Sequence, residues 1–278
     1  MHILEPFILG KENNPQSCED GLFISDTLVA VIDGVTTQGD CLWSGQKSGC
    51  FAKNVLLKRL QALVEGAESS ILNEEDWGKV LLGQLDAALY EAVQQLDQAD
   101  MNVEEYPRAS IIIYNDIRKE IVNYGDCQCR IGDVVHSHGK KIDQLNADLR
   151  AFHLEYYLQH GKSLEELSEN DLGRVAIAGN LAMQCSFENK VGEFGYPVLN
   201  GRGVESSLVR TYKVCLGDEV ILASDGYPML GRNLAESEDM LQKILREDPM
   251  CFRSYRSTKG VRMGNVSFDD RVFCRFIV

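Results

Sequence analysis

Two short apolar runs in this chain end in the same dipeptide, LVAVIDG (28–34) and VILASDG (220–226). An apolar strand that stops at Asp-Gly delivers a carboxylate to the rim of a sheet. The glycine permits a sharp turn and leaves its carbonyl within reach of a ligand. A single such pair is most simply a solvated turn, because Asp-Gly is a common turn dipeptide. Repetition changes the reading. A Gly-Asp stands in NYGD (Asp126), an Asp-Asp in SFDD (Asp269, Asp270) ahead of the closing apolar run, and a Glu-Asp in CED (Glu19, Asp20) ahead of the first. A compact fold that gathers these carboxylates must offset their mutual repulsion. Hard divalent cations such as Mg²⁺ or Mn²⁺, which take oxygen ligands, would do so.

The stretches between the acidic motifs alternate in period. LFIS (22–25) and LVAVID (28–33), on either side of Asp26-Thr27, predict a hairpin. Apolar residues at helical spacing predict a helix from about 42 to 64, with Gly45 and Gly49 on one closely packing face and Gly66 at its end. A second helix is predicted from Trp77 to Leu96. ASIIIYN (109–115) and EIVNYGD (120–126) predict a second strand pair, and RIGDVVHSHGKK continues as extended chain and a turn. Residues 141–200 lose strand periodicity and read as polar helix and loop. Strands return at 209–214, 216–226 and 272–278, with an amphipathic helix near 234–245 that ends by Pro249. No Pro/Gly-rich linker, low-complexity tract or repeat divides the 278 residues. The expectation is one domain, 1–278, with an inserted middle segment, built as a layered α+β sandwich because each sheet must bury a face.

Charge narrows the partners. With 42 acidic against 28 basic residues and a net charge of −14, nucleic-acid backbones and anionic membranes would be repelled. No run reaches the roughly 18 apolar residues of a membrane span. MHILEPFILG lacks the basic region of a secretory signal, so a soluble, cytoplasmic protein is expected. Nine cysteines without paired CxxC spacing read as reduced thiols, with Cys127 and Cys129 as packed strand residues. His136 and His138 lack a third ligand, and the absence of a GxSxG elbow argues against Ser224 as a nucleophile.

Taken in order, the acidic motifs resemble those of the metal-dependent serine/threonine phosphatases of the PPM (type 2C) family. Glu19-Asp20 is similar to the family's early Glu-Asp and VAVIDG to its Asp-Gly strand end. NYGDCQCRIGD is similar to its Gly-Asp strand, LASDG to its Ser-Asp-Gly, and FDDRVFCRFIV to its closing Asp-Asp/Asn strand. The resemblance implies a four-layer αββα sandwich of two antiparallel sheets flanked by antiparallel helix pairs, with a variable flap at about 141–200. It implies a binuclear Mg²⁺/Mn²⁺ centre in which Asp33 bridges both ions and Asp225 and Asp269 complete the first site. Glu19 and the Gly34 carbonyl would serve the second, with Asp20 in support, and Asp126 would contribute to a third ion. It implies hydrolysis of phosphoserine or phosphothreonine in a phosphorylated protein by direct attack of a metal-bridging water, with Asp33 and Asp225 as catalytic carboxylates.

Three departures touch substrate and acid roles. Val35 stands where some members carry a histidine. Pro15 occupies the position of a phosphate-gripping arginine, for which Lys11 is the candidate substitute against the simpler reading of a solvated loop lysine. Met229 replaces an aspartate four residues beyond Asp225 and speaks against the third ion. Two alternatives therefore stay open: a non-catalytic relative kept as a regulatory or binding module, and a phosphatase of a small phosphorylated metabolite. No motif names the physiological substrate or the oligomeric state.

Overall fold

Apolar residues on successive strands alternate between two destinations, and that alternation builds the molecule in layers. The computed structural model describes residues 1–36, 41–96 and 103–278. One antiparallel sheet is ordered β1 (His2–Leu9), β10 (Arg271–Ile277), β9 (Glu219–Ala223), β6 (Gln128–Ile131), β7 (Val134–His136). The other is ordered β2 (Gly21–Ile24), β3 (Leu28–Gly34), β4 (Ala109–Asn115), β5 (Glu120–Tyr124), β8 (Arg210–Lys213).

On β3, Val29 and Val31 face the opposing sheet, where they meet Val220 and Leu222 of β9 and Val272 and Cys274 of β10. Leu28, Ala30 and Ile32 face the other way, onto Leu56 and Leu60 of α1 (Ser48–Glu65) and Leu81 and Leu85 of α2 (Trp77–Gln94). On the far face, Ile221, Ala223 and Phe273 pack with Leu241 of α7 (Leu234–Glu247) and with Cys251 and Phe268 of the irregular stretch after it. The order is helix, sheet, sheet, helix, as expected for the α+β sandwich. Burying each such Leu or Ile is worth about 2 kcal/mol.

Two elements differ from the expectation. The first helix begins at Ser48, not near residue 42; Gly45 lies before it at φ +77° with open space around it. Gly49 alone makes the close approach: a Cβ there would stand 2.6 Å from Glu19 Oε1 and 2.7 Å from the Gly34 carbonyl oxygen. Strand β1 was not foreseen, because Pro6 sits in it. The proline is tolerated because β1 is an edge strand paired only with β10.

The segment from 141 folds as α3 (Lys141–Gln159), α4 (Leu164–Glu169), α5 (Leu172–Ala176) and α6 (Ala178–Gln184). Leu154 of α3 and Leu167 of α4 bury against Met250 and Phe252. Arg150, fully buried, ties α3 to the Asp171 carboxylate and to the carbonyls of Met250, Cys251 and Ser257. Among the described residues no helix is long and apolar enough to cross a membrane, and no cysteine forms a disulfide.

Candidate metal centre

Antiparallel pairing brings the acidic motifs to one end of the sandwich. Asp33 at the close of β3 lies opposite Ser110 at the start of β4. Asp225 follows β9, whose last residue, Ala223, pairs with both Gln128 of β6 and Phe273 of β10. Asp126 stands in the β5–β6 turn, Asp269 and Asp270 immediately precede β10, and Glu19 and Asp20 immediately precede β2. The β5–β6 turn needs glycine: Gly125 has φ +132°, and a Cβ there would stand 2.3 Å from the Ser110 side chain. The Ser110 hydroxyl then donates to Asp126 Oδ1 at 2.5 Å and fixes that carboxylate. Gln128 Nε2 donates to the carbonyls of Ser224 (3.1 Å) and Tyr227 (2.7 Å), holding the turn that carries Asp225. Ser224 is buried, and its hydroxyl accepts from the Val272 N–H at 2.9 Å, which gives it a structural role.

The carboxylates separate into two groups. Asp33, Asp126 and Asp225 each offer an oxygen, and the three oxygens lie within 4.8 Å of one another. Burial, then the charges of Asp20, Asp126 and Asp269, push Asp33 well above the usual carboxylate range. Burial, then Asp33, Asp126 and Asp269, do the same to Asp225. Three hard oxygen donors under that repulsion fit a Mg²⁺ or Mn²⁺ ion, which would relieve it.

The second group is Glu19, Asp269 and Asp270, and lysines hold it. Lys11 Nζ lies 3.0 Å from Glu19 Oε2, 2.9 Å from Asp270 Oδ2 and 3.6 Å from Asp269 Oδ1. Lys259 Nζ is 2.5 Å from Asp269 Oδ2. Burial works against the Lys11 charge, but Asp269, Glu19 and Asp270 outweigh it and hold the ammonium well above its ordinary value. Burial likewise opposes ionisation of Asp269, yet Lys259 and Lys11 keep it below the usual range. A third lysine, Lys140, sits 2.8 Å from Asp126 Oδ2 and, with Ser110, holds Asp126 low against its burial. Asp20 is buried with Oδ2 unpartnered, and burial followed by Asp270 and Asp269 raises it well above the carboxylate range.

Asp126 therefore joins Asp33 and Asp225, the place the resemblance implied for Asp269, whereas Asp269 turns to lysines. Gly34 is buried with its carbonyl against Gly49. Lys11 is no solvated loop lysine. Val35 lines the cleft, and residues 37–40, in the stretch after Asp33, lie outside the described residues. His136 and His138 engage Tyr212 instead of a metal: the His136 ring centroid is 4.4 Å from that of Tyr212, and His138 Nε2 is 2.5 Å from its hydroxyl.

The trio opens into a cleft of about 630 Å³ lined also by Asp143, Ala147 and Arg174 of the helical segment from 141 and by Tyr255 to Lys259. Lys140 and Lys259 were not singled out from the sequence. They lie in segments without periodicity, and no spacing links them to Asp126 and Asp269.

No protein-family profile matches the chain, and no curated protein sequence matches it. Solved structures do. The catalytic domain of the serine/threonine protein phosphatase PstP, in complex with two manganese ions, superposes with a TM-score of 0.51 at 13% identity, covering 100% of both chains. The Mycobacterium tuberculosis serine/threonine phosphatase PstP/Ppp gives 0.51 at 13% identity over 99% of this chain and 98% of that one. The PPM Ser-Thr phosphatase MsPP of Mycobacterium smegmatis, in complex with cacodylate, gives 0.50 at 13% identity over 100% of both. At this identity the likeness establishes the shared fold.

Proposed function

We propose that this chain is a Mg²⁺- or Mn²⁺-dependent phosphoric monoester hydrolase that removes phosphate from phosphoserine or phosphothreonine in cytoplasmic proteins. The observation that carries the reading is the convergence of Asp33, Asp126 and Asp225 at the cleft floor, on a fold that the PPM phosphatases PstP and MsPP share.

Asp33, Asp126 and Asp225 would hold the first ion, and Asp269, Glu19, Asp20 and the Gly34 carbonyl form its surroundings. Divalent cations bound there lower the pKa of a coordinated water and offset charge developing on phosphoryl oxygens. The chain's own part is positional. Ser110 orients Asp126, Gln128 fixes the Asp225 turn, and Lys140 and Lys259 bring positive charge to the cleft where an anionic phosphoryl group would enter. The whole chain acts as one domain, with 141–200 as a flap over the cleft that admits a side chain and its flanking residues.

A non-catalytic binding module is the second reading. It is favoured by the pairing of Asp126 with Lys140 and of Asp269 with Lys259, which satisfies two carboxylates without an ion. Phosphate release from phosphopeptides and from p-nitrophenyl phosphate, with Mn²⁺, with EDTA and in Asp33→Ala, separates the two. Turnover that needs Mn²⁺ and Asp33 supports the hydrolase. Mn²⁺ binding without turnover of any phosphoester sinks it, and turnover of small esters alone moves the substrate to a metabolite.

A further inference from the structure

Lys11 is held in place from every side. Its backbone N–H donates to Asp270 Oδ1 at 2.7 Å, and its carbonyl accepts from the Val266 N–H at 2.8 Å. Asp270 Oδ2 also accepts from the Glu19 N–H at 3.2 Å, so one carboxylate fixes both the Lys11 backbone and the residue its ammonium meets. The ammonium reaches Glu19, Asp270 and Asp269, all buried, and keeps only 12% of its side chain exposed.

The Glu19 and Asp270 oxygens nearby are engaged or closed off while Lys11 stays. Glu19 Oε2 accepts from Lys11 and from the Thr36 hydroxyl. Glu19 Oε1, though unpartnered, is shut against Gly49, as is the Gly34 carbonyl. The Asp33, Asp126 and Asp225 oxygens share a seat that Lys11 does not touch; the lysine there is Lys140, on Asp126 Oδ2 alone.

We propose that Lys11 is a resident counter-ion occupying the second cation seat of this centre, so that a second divalent ion enters only by displacing its ammonium from Glu19 and Asp270. The inference rests on the metal-centre reading above and adds an order to it. The first ion binds at Asp33, Asp126 and Asp225 independently of Lys11. The second binds in a weaker step that frees Lys11 toward the cleft.

The test uses Mn²⁺ alone, without any phosphoester, by titration calorimetry and by paramagnetic resonance of free Mn²⁺ on the full chain. Wild type should bind one ion tightly and a second at least tenfold more weakly. Lys11→Met should tighten the second step at least tenfold and leave the first within about threefold, while Lys11→Arg keeps the wild-type split. A measurement on unmodified protein guards against a misfolded variant. Reductive methylation of Lys11, read by mass spectrometry, should stay low through the first step and rise only with the second. Two equal ions in wild type, an unchanged split in Lys11→Met, or Lys11 methylation that ignores Mn²⁺ each overturn the proposal. No Mn²⁺ binding overturns both it and the metal-dependent function. Stepwise binding without phosphopeptide turnover removes the phosphatase reading and leaves the role of Lys11 standing.

Discussion

Replacing Arg150 with methionine tests how far one buried side chain, beside the apolar packing of Leu154 and Leu167 on Met250 and Phe252, clamps the helical segment from 141 to the cleft wall. Arg150 is fully buried and donates to Asp171 Oδ2 from Nε (2.9 Å) and Nη2 (2.7 Å). It also donates to the carbonyls of Met250 (2.8 Å), Ser257 (3.0 Å) and Cys251 (3.1 Å). Methionine keeps most of the volume, so the loss is chiefly polar. Breaking a buried ion pair costs about 3–5 kcal/mol, and stranded carbonyls add about 1 kcal/mol each. Asp171 is partly exposed and recovers some hydration, so about 4 kcal/mol is expected for separating α3 and α5 from residues 250–257. At about 1.4 kcal/mol per decade, amide exchange in α3 should quicken by about 10²–10³-fold. Trp43 and Trp77 both pack between the helices and the second sheet, in an apolar cluster separate from that of Leu154, Met250 and Phe252. Their fluorescence midpoint in urea should move far less than the α3 exchange. Equal losses at both probes, or α3 exchange within tenfold of wild type, would refute the clamp. Lys259 follows this same segment and pairs with Asp269, so on the proposed hydrolase reading loosening it should also lower phosphate release.

Two further substitutions probe other joints. Gly49→Ala forces a Cβ against Glu19 Oε1 and the Gly34 carbonyl at under 3 Å, and should cost about 1–3 kcal/mol by urea unfolding while displacing both groups at the centre; a change below about 0.5 kcal/mol would mean that α1 yields freely there. Glu238 accepts from the Tyr227 hydroxyl at 2.6 Å and from Arg271 at 2.7 and 2.8 Å. Burial opposes its ionisation, but Arg271 and Tyr227 outweigh that and hold it below 4.5. The ion pair thus stabilises the fold fully above pH 4.5 and loses that contribution as pH falls through the lowered value. Glu238→Gln should cost about 2 kcal/mol near neutrality, less than a fully buried pair because Glu238 is partly exposed. The gap to wild type should narrow below pH 4.5, and a gap that widens on acidification would reverse the assignment.

What a local pattern can announce here is set by how much of each feature's physics is local. Strand β3 is apolar on both faces because it is covered on both, and its run ends where the sheet ends. That is why Asp33, and by the same logic Asp225, stood out. The layers followed from the same alternation. Strand β1 stayed hidden because its tolerance for Pro6 depends on being an edge, which is a property of the assembled sheet. The start of α1 was drawn too early because Leu42 and Trp43 fit a helical stripe, whereas Trp43 is buried in a turn, paired with Gln46. Partner choice within the carboxylate cluster is the least local feature of all. Asp126 and Asp269 are both acidic residues at strand ends, and only the arrival of Lys140 from the start of α3 and of Lys259 and Lys11 from irregular chain decides how each is neutralised. Charge compensation at this centre is therefore divided between residues the sheets deliver and residues that loops bring to meet them. The sheets set where the carboxylates stand, and the lysines set which of them a metal ion must compete for.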